Sequence, residues 1–422
     1  MTTTPFHPQS VCVVGLGYIG LPLASLAATR GLSVLGVDIK PEVIKTLQSG
    51  KIHIVEPDLH ALVSAAAGSG FLRVSTTPEP SDYFILCVPT PFRENHQADL
   101  SYVEAAAASL IPHLRAGSTV ILESTCPPGT TRNVLAPILE KSGLQLGNDL
   151  FVAYCPERVL PGQILRELVD NDRVIGGVDA ASTKRAANFY RTFVNGDLHE
   201  SDSDTAEMVK LVENAYRDVN IAFANELSLI ADHLGLNIWK IIELANKHPR
   251  VKVLAPGPGV GGHCIAVDPW FIVEKAPTQA RLIRTARQIN DSMPGLMVSK
   301  IERTIKDQAD PKIACFGLTY KANIDDLRES PALDVVMKLI AKGYDVKCHD
   351  PYVTKHLNLP LASVEECLEG AHCAAILVDH KLFKYLNWDL LARRMAQPVF
   401  VDTRGVIPLR RINQIPQVLV VN

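Results

Sequence analysis

The chain has 422 residues, 47% of them hydrophobic and 21% charged, with a net charge of −3. That length exceeds one ordinary domain and suits two or three. The near-neutral balance and the absence of a bilayer-length apolar run argue against a nucleic-acid partner and against a membrane span. The first ten residues, MTTTPFHPQS, have neither the charged region nor the apolar core of a signal peptide. Nine cysteines are scattered with no CxxC pair and no metal-like cluster. No metal is expected, and a reducing, cytoplasmic setting is.

Residues 10–20 read SVCVVGLGYIG. An apolar run, Val11 to Val14, meets Gly15-x-Gly17-x-x-Gly20, a helical pattern follows, and a second apolar run from Leu32 to Val37 ends on Asp38. Strand, glycine turn, helix, strand and acid is the order of a dinucleotide-binding unit. The glycines let backbone approach a pyrophosphate, which a helix N-terminus favours. Asp38 would accept hydrogen bonds from ribose hydroxyls and repel a 2′-phosphate, so NAD is expected rather than NADP. Further buried strands lie in 82–91, 118–130 and 149–162, and run into Thr90, Ser124-Thr125 and Cys155-Pro156-Glu157-Arg158. Ligands bind beyond the carboxyl ends of such strands, which puts Thr90, Thr125, Glu157 and Arg158 at one crevice. Each threonine reads equally well as a plain turn residue.

A helix is expected over about 205–233, capped by Ser203-Asp204-Thr205 and roughly 43 Å long. Lys210, Asn214 and Arg217 are spaced by four and three and share a face. That face is either a solvated stripe or a pair, Lys210 and Asn214, aimed at an active site. A second helix near 237–247 ends in His248-Pro249-Arg250. Next comes GPGVGGHCIAVDPWF, residues 257–271, where Gly257, Gly259, Gly261 and Gly262 remove bulk just before Cys264. Asp268-Pro269 reads as a helix start, and a thiol just ahead of a helix N-terminus gains thiolate character. The plain alternative is a glycine-rich turn with an incidental cysteine. A helical, arginine-bearing stretch over 274–305 carries Arg281, Arg284 and Arg287. From 312 a second strand–turn–helix–strand unit begins, ending on Asp350 and lacking a full GxGxxG. CAAILVDH (373–380) and PVFVDTRG (397–405) add two strands, and Tyr320, Lys321 and Arg328 follow the first strand of this unit.

Six stretches carry a resemblance: VGLGYIGLP, STCPPGT, YCPERVLPG, TAEMVKLVENAYR (205–217), PGPGVGGHCIAVDP and GLTYKANIDDLRES. In this order they resemble the UDP-glucose/GDP-mannose dehydrogenases over nearly the whole chain. IHIVEPDL (52–59), CPERVLPG, RDVNIAFANELSLI (217–230), HPRV and GGHCIAVDPWF resemble most its branch acting on UDP-N-acetyl-D-mannosamine. The resemblance implies an α/β fold: two Rossmann-like domains, parallel sheets flanked by helices, joined by a long central helix that also builds a homodimer. Residues 1–200 would bind NAD, 201–305 would carry the linker, the dimer contacts and the cysteine, and 306–422 would bind the UDP-sugar. It implies four-electron oxidation of the sugar at C6 for surface polysaccharide synthesis, with the N-acetylglucosamine or N-acetylgalactosamine epimer as the alternative substrate.

Carried over by position, Cys264 is the nucleophile. Lys210 and Asn214 hold and polarise the reacting oxygen. Asp268, Glu157 and Thr125 position or activate water. Arg158, Val159, Lys210, Asn214, Arg217, His248, Arg250, Gly261, Tyr320, Lys321 and Arg404 match substrate contacts of the family. Gly15, Gly17, Tyr18, Ile19, Gly20, Asp38, Thr90, Thr125 and Arg328 match cofactor contacts. Cys126 and Cys155 depart from commoner family sequences and suggest a second oxidisable thiol near the site. Two other readings compete: a single-step hydroxyacid-type dehydrogenase, and a cofactor-binding sensor without turnover. Cys264 argues against the first, and the set Lys210, Asn214, Cys264 and Asp268 against the second.

Overall fold

Val11 and Val13 turn to one face of the first strand, Cys12 and Val14 to the other, and all four are buried. A strand covered on both faces belongs to a sheet with helices on both sides. The computed structural model describes residues 9–407 and 419–421, apart from 55, 94, 161, 263 and 354–358. Of the N-terminal stretch MTTTPFHPQS, only Gln9 and Ser10 are among them.

Two compact units divide the chain: unit 1 spans Met1–Glu213 and Trp270–Pro277, and unit 2 spans Asn214–Pro269 and Thr278–Asn422. Unit 1 holds an eight-stranded sheet of order β3-β2-β1-β4-β5-β6-β7-β8. Its strands are β1 (Ser10–Val14), β2 (Ser33–Val37), β3 (Leu72–Ser75), β4 (Tyr83–Leu86), β5 (Ser118–Leu122), β6 (Leu150–Tyr154), β7 (Arg173–Gly177) and β8 (Leu198–Asp202). Every pairing is parallel except β6 with β7. The chain leaves β1 toward β2 on one side and returns to β4 on the other, so a topological switch lies between β1 and β4. Unit 2 holds a five-stranded parallel sheet, β10-β9-β11-β12-β13. It is built from β9 (Lys312–Phe316), β10 (Asp345–His349), β11 (Cys373–Ile376), β12 (Val399–Asp402) and β13 (Leu419–Val421).

The long helix runs Ser203–Leu234, 32 residues, or about 48 Å at 1.5 Å per residue. Its cap differs from the expected Ser203-Asp204-Thr205. Asp202 accepts from Thr205 N (2.9 Å) and from Thr205 Oγ1 (2.7 Å), so the last residue of β8 caps the helix. The next helix spans Ile238–Ala245, and the expected 274–305 stretch divides into Asp268–Lys275 and Arg281–Ile305. The strands that sequence reading passes over are β3, β7, β8 and β13. β8 reads LHESD and is largely exposed at the sheet edge, so it carries no apolar run to detect. Among the described residues no helix is long and apolar enough to cross a membrane.

Candidate active site

In unit 1 the turn after β1 is shaped by close approach. Gly15 has φ +95°, and a Cβ there would strike the Cys87 carbonyl; one on Gly20 would strike the Gly15 carbonyl. Gly17 is different: a Cβ there meets nothing within 4 Å among the described residues, and φ is not positive. The protein's own packing does not demand glycine at 17, and an approaching pyrophosphate does. The cradle therefore fits a dinucleotide. Asp38, at the end of β2, holds this turn. Its Oδ2 accepts from Leu16 N (3.0 Å) and its Oδ1 from Lys40 N (2.9 Å). A carboxylate oxygen has two lone pairs, so each retains one for a ribose hydroxyl. Tyr18 is exposed and Ile19 half-buried at the mouth of the following helix, Gly20–Thr29. Thr90 and Thr125, both half-buried, follow the neighbouring strands β4 and β5.

Beyond β6, Lys210 Nζ donates to the Glu157 carbonyl at 2.7 Å. Arg158, expected at substrate, grips Glu213 with Nε (3.2 Å) and NH2 (2.7 Å), and Val159 is half-buried beside it. Glu157 Oε1 is buried without a hydrogen bond among the described residues. Burial pushes the Glu157 carboxyl up to about 7, against the pull of the Lys210 and Arg173 cations. Glu207, one turn before Lys210, is a residue that sequence reading missed. It is fully buried and accepts from Gly129 N (2.5 Å) and Thr131 N (2.7 Å), tying the loop after Thr125 to the long helix. Its only signal, an acid at helical spacing from Lys210, is indistinguishable from a surface charge.

In unit 2, Cys264 is exposed, and its carbonyl accepts from Val267 N (3.1 Å) and Asp268 N (2.9 Å) in the turn that enters Asp268–Lys275. Asn214 Nδ2 donates to Asp268 Oδ2 at 2.6 Å, with both residues buried. Lys210 and Asn214 are thus engaged side chains, and only Arg217 of the three is exposed. Gly261 and Gly262 pack against Tyr320. Arg404 NH1 donates to the Pro256 carbonyl (3.2 Å) and NH2 pairs with Asp379 (2.8 Å). Lys321 is exposed, and Arg328 forks onto Asp326 of its own loop. His248 and Arg250 are exposed in the segment after Ile238–Ala245, where Arg250 N donates to His248 Nδ1 (3.3 Å).

Asp350 repeats the device of Asp38, with Oδ2 accepting from Leu318 N at 2.6 Å and Oδ1 from Tyr352 N at 2.9 Å. Here, however, the buried His380 also donates to Oδ2 (3.1 Å). Because His380 Nδ1 accepts from Asn323 N (3.0 Å), the ring proton sits on Nε2. Asp350 is 5% exposed and spent on its own fold. Cys126 and Cys155, the candidates for a second oxidisable thiol, are also buried, and burial pushes Cys155 up to about 11 and Cys126 well above its usual value. Neither is placed to be oxidised from solvent.

Three family models match in succession: the UDP-glucose/GDP-mannose dehydrogenase family NAD binding domain over residues 9–194, the central domain over 204–292, and the UDP binding domain over 314–408. The chain is 48% identical to the UDP-N-acetyl-D-mannosamine dehydrogenase of Escherichia coli (strain K12), over 94% of this chain and 99% of that one. It is 50% identical to the NDP-N-acetyl-D-galactosaminuronic acid dehydrogenase of Ralstonia solanacearum, over 96% and 97%. The solved UDP-D-ManNAc dehydrogenase from Pyrococcus horikoshii superposes with a TM-score of 0.89 at 42% identity, covering 95% of this chain and 96% of that one.

Gly17→Ala should fold with a melting temperature near wild type yet weaken NAD binding at least ~10-fold, whereas Gly20→Ala should fail to fold; calorimetry and fluorescence titration distinguish the two. The Glu157 carboxyl is a base only above about 7. A step using it should therefore rise through neutral pH with unit slope. Glu157→Gln should remove that limb and cost ~10²–10⁴-fold in rate, read from the pH profile of kcat.

Proposed function

The chain belongs to the UDP-glucose/GDP-mannose dehydrogenase family, and from that premise we propose that it oxidises C6 of UDP-N-acetyl-D-mannosamine to the carboxylate. The observation that carries the reading is Cys264: an exposed thiol beside the buried Asn214–Asp268 pair. Gly15, Gly17, Gly20, Tyr18, Ile19, Asp38, Thr90 and Thr125 would hold NAD, which when bound supplies the hydride acceptor for each of two oxidations. An alcohol carried to an acid passes through an aldehyde, and a site without a way of holding it would lose it to water. Cys264 Sγ adds to the aldehyde carbon to give a hemithioacetal. Oxidation of that adduct leaves a thioester, and water cleaves it to the acid and returns the thiol.

Lys210 and Asn214, one turn apart on the long helix, bear on the oxygen: the ammonium stabilises its developing negative charge, and the amide orients it. Glu157, with its carboxyl raised to about 7, takes the proton of water, aided by Thr125 and Asp268. Arg158, Val159, Arg217, His248, Arg250, Gly261, Tyr320, Lys321 and Arg404 are assigned to the nucleotide sugar, and Arg328 to the cofactor. The product is assigned to surface polysaccharide synthesis, and the enzyme to the cytoplasm. The galacto epimer is the second reading, favoured by the relative from Ralstonia solanacearum. A homodimer through the long helix is supported by the exposed apolar side chains Tyr216, Phe223, Ile230 and Leu234.

With NAD in excess, UDP-N-acetylmannosamine should yield two NADH per sugar, and UDP-N-acetylglucosamine and UDP-N-acetylgalactosamine little. Two from another epimer would keep the mechanism and change the substrate. Cys264→Ser should form no acid, and full turnover by that variant would falsify the covalent step. Sedimentation equilibrium should report a dimer, and a monomer at micromolar concentration would remove the role given to the helix face.

A further inference from the structure

A directional chain of hydrogen bonds runs through the interior of unit 2 and ends on the glycine run before Cys264. Gly257 N donates to Asn225 Oδ1 (2.9 Å), and Asn225 Nδ2 donates to Asn290 Oδ1 (2.9 Å). Asn290 Nδ2 donates to Asp218 Oδ1 (2.8 Å) and to the Asp218 carbonyl (3.0 Å), and Arg287 NH1 closes on the same Oδ1 at 2.5 Å. Asp218 and Asn225 lie two turns apart on the long helix, and Arg287 and Asn290 one turn apart on Arg281–Ile305. All four are at most 1% exposed.

The polarity of this chain is fixed from its far end. An ionised carboxylate only accepts, so Asn290 must present its nitrogen there and its oxygen to Asn225. Asn225 must then give its nitrogen to Asn290 and its oxygen to Gly257. Turning either amide over sets donor against donor or acceptor against acceptor in a place water does not reach. A second contact adds to the first. Pro294 has no N–H to give the Asn290 carbonyl, and the loop crosses there at Gly259, φ +135°. A Cβ on Gly259 would lie 3.1 Å from that carbonyl oxygen and 3.0 Å from Pro331 Cβ. Arg404 holds the neighbouring Pro256 carbonyl. The glycine run is flexible by composition; the half-buried Arg404 holds it at 256, the buried Asn225 holds it at 257, and close packing against Asn290 and Pro331 confines it at 259.

We propose that Asn225 and Asn290 are positioning residues for the Cys264 thiol, so that the second oxidation depends on them and the first does not. This rests on Cys264 being the nucleophile. The first oxidation needs no thiol. The second needs Sγ within bonding reach of the aldehyde carbon, and a displacement of about 1 Å costs up to ~10²-fold.

Asn225→Leu keeps the heavy-atom branching and removes both hydrogen bonds. In single-turnover assays with the full chain, NAD and UDP-N-acetylmannosamine, the first NADH should form at the wild-type rate and the second ~10–100-fold more slowly. Hydroxylamine should trap the aldehyde, and the NADH yield should fall from two per sugar toward one. Iodoacetamide checks the fold, since Cys264 is the one exposed thiol of the nine and should remain the one labelled. Wild-type rates for both steps overturn the proposal, and so does an equal loss in both with only Cys264 labelled. If further thiols label, Asn225→Asp decides. It still accepts from Gly257 but donates to Asn290 only when protonated, so its second step, taken as a ratio to wild type at the same pH, should recover at acid pH; a ratio independent of pH overturns the proposal. Cys264→Ser run alongside separates the two ideas. If it makes two NADH, the nucleophile reading fails; if it stops at the aldehyde while Asn225→Leu does not, only the positioning role fails.

Discussion

The buried hydrogen bond from Asn214 to Asp268 is the constraint on which the Cys264 turn of unit 2 depends. At 2.6 Å it joins the long helix to the helix that opens directly after the Cys264 turn. Cys264 is exposed in a turn preceded by four glycines. Its place is set by what happens on either side. Downstream, Asp268 is tied to Asn214, and its N–H to the Cys264 carbonyl. Upstream, the glycine run ends on Asn225. A side chain left open to solvent is not immobilised by burial, and here the backbone on either side of it is the part that is bonded.

The two units share a local device and use it for opposite ends. Asp38 and Asp350 each close a strand, each accept from the N–H that follows a glycine of the facing turn, and each accept from the residue two positions on. Asp38 has lone pairs to spare and solvent at hand, which is what a ribose needs. Asp350 is buried and bonded to His380. Burial alone would raise its carboxyl, yet the His380 bond and the N–H groups of Leu318 and Tyr352 hold it below the ordinary value. The same βαβ geometry therefore leaves an open acceptor in unit 1 and makes a structural pin in unit 2. The pin reaches the loop bearing Tyr320 and Lys321, because His380 accepts the N–H of Asn323, a residue held at φ +64°.

The sheets, the long helix and the NAD turn are legible in the sequence because each rests on a strong periodic signal: apolar runs, a helical stripe, glycines at fixed offsets. What escapes has a common physical cause. β8 is polar and lies at an edge, so nothing in LHESD separates it from a loop. Asp202 caps the long helix where Ser203, Asp204 and Thr205 offer equally good caps by type, and only the direction in which the chain leaves β8 decides among them. Glu207, Asn225, Asn290 and Asp218 are buried polar residues whose partners lie far away in sequence, and by type each reads as solvated surface. Polar residues that build a site from behind are thus the ones a linear reading assigns to water.

The nine thiols press the same point on reactivity. Cys12, Cys348 and Cys367 are pushed up to about 12 by burial, Cys155 and Cys373 to about 11, and Cys87, Cys126 and Cys315 well above the usual value. These are small apolar side chains in effect, filling the cores that flank the two sheets. Desolvation keeps them protonated, and a protonated thiol neither adds to a carbonyl nor oxidises readily. Cys264 differs from them in environment, not in type. The fold thus leaves one thiol open by withholding water from the other cysteines, and four glycines precede that one in the chain.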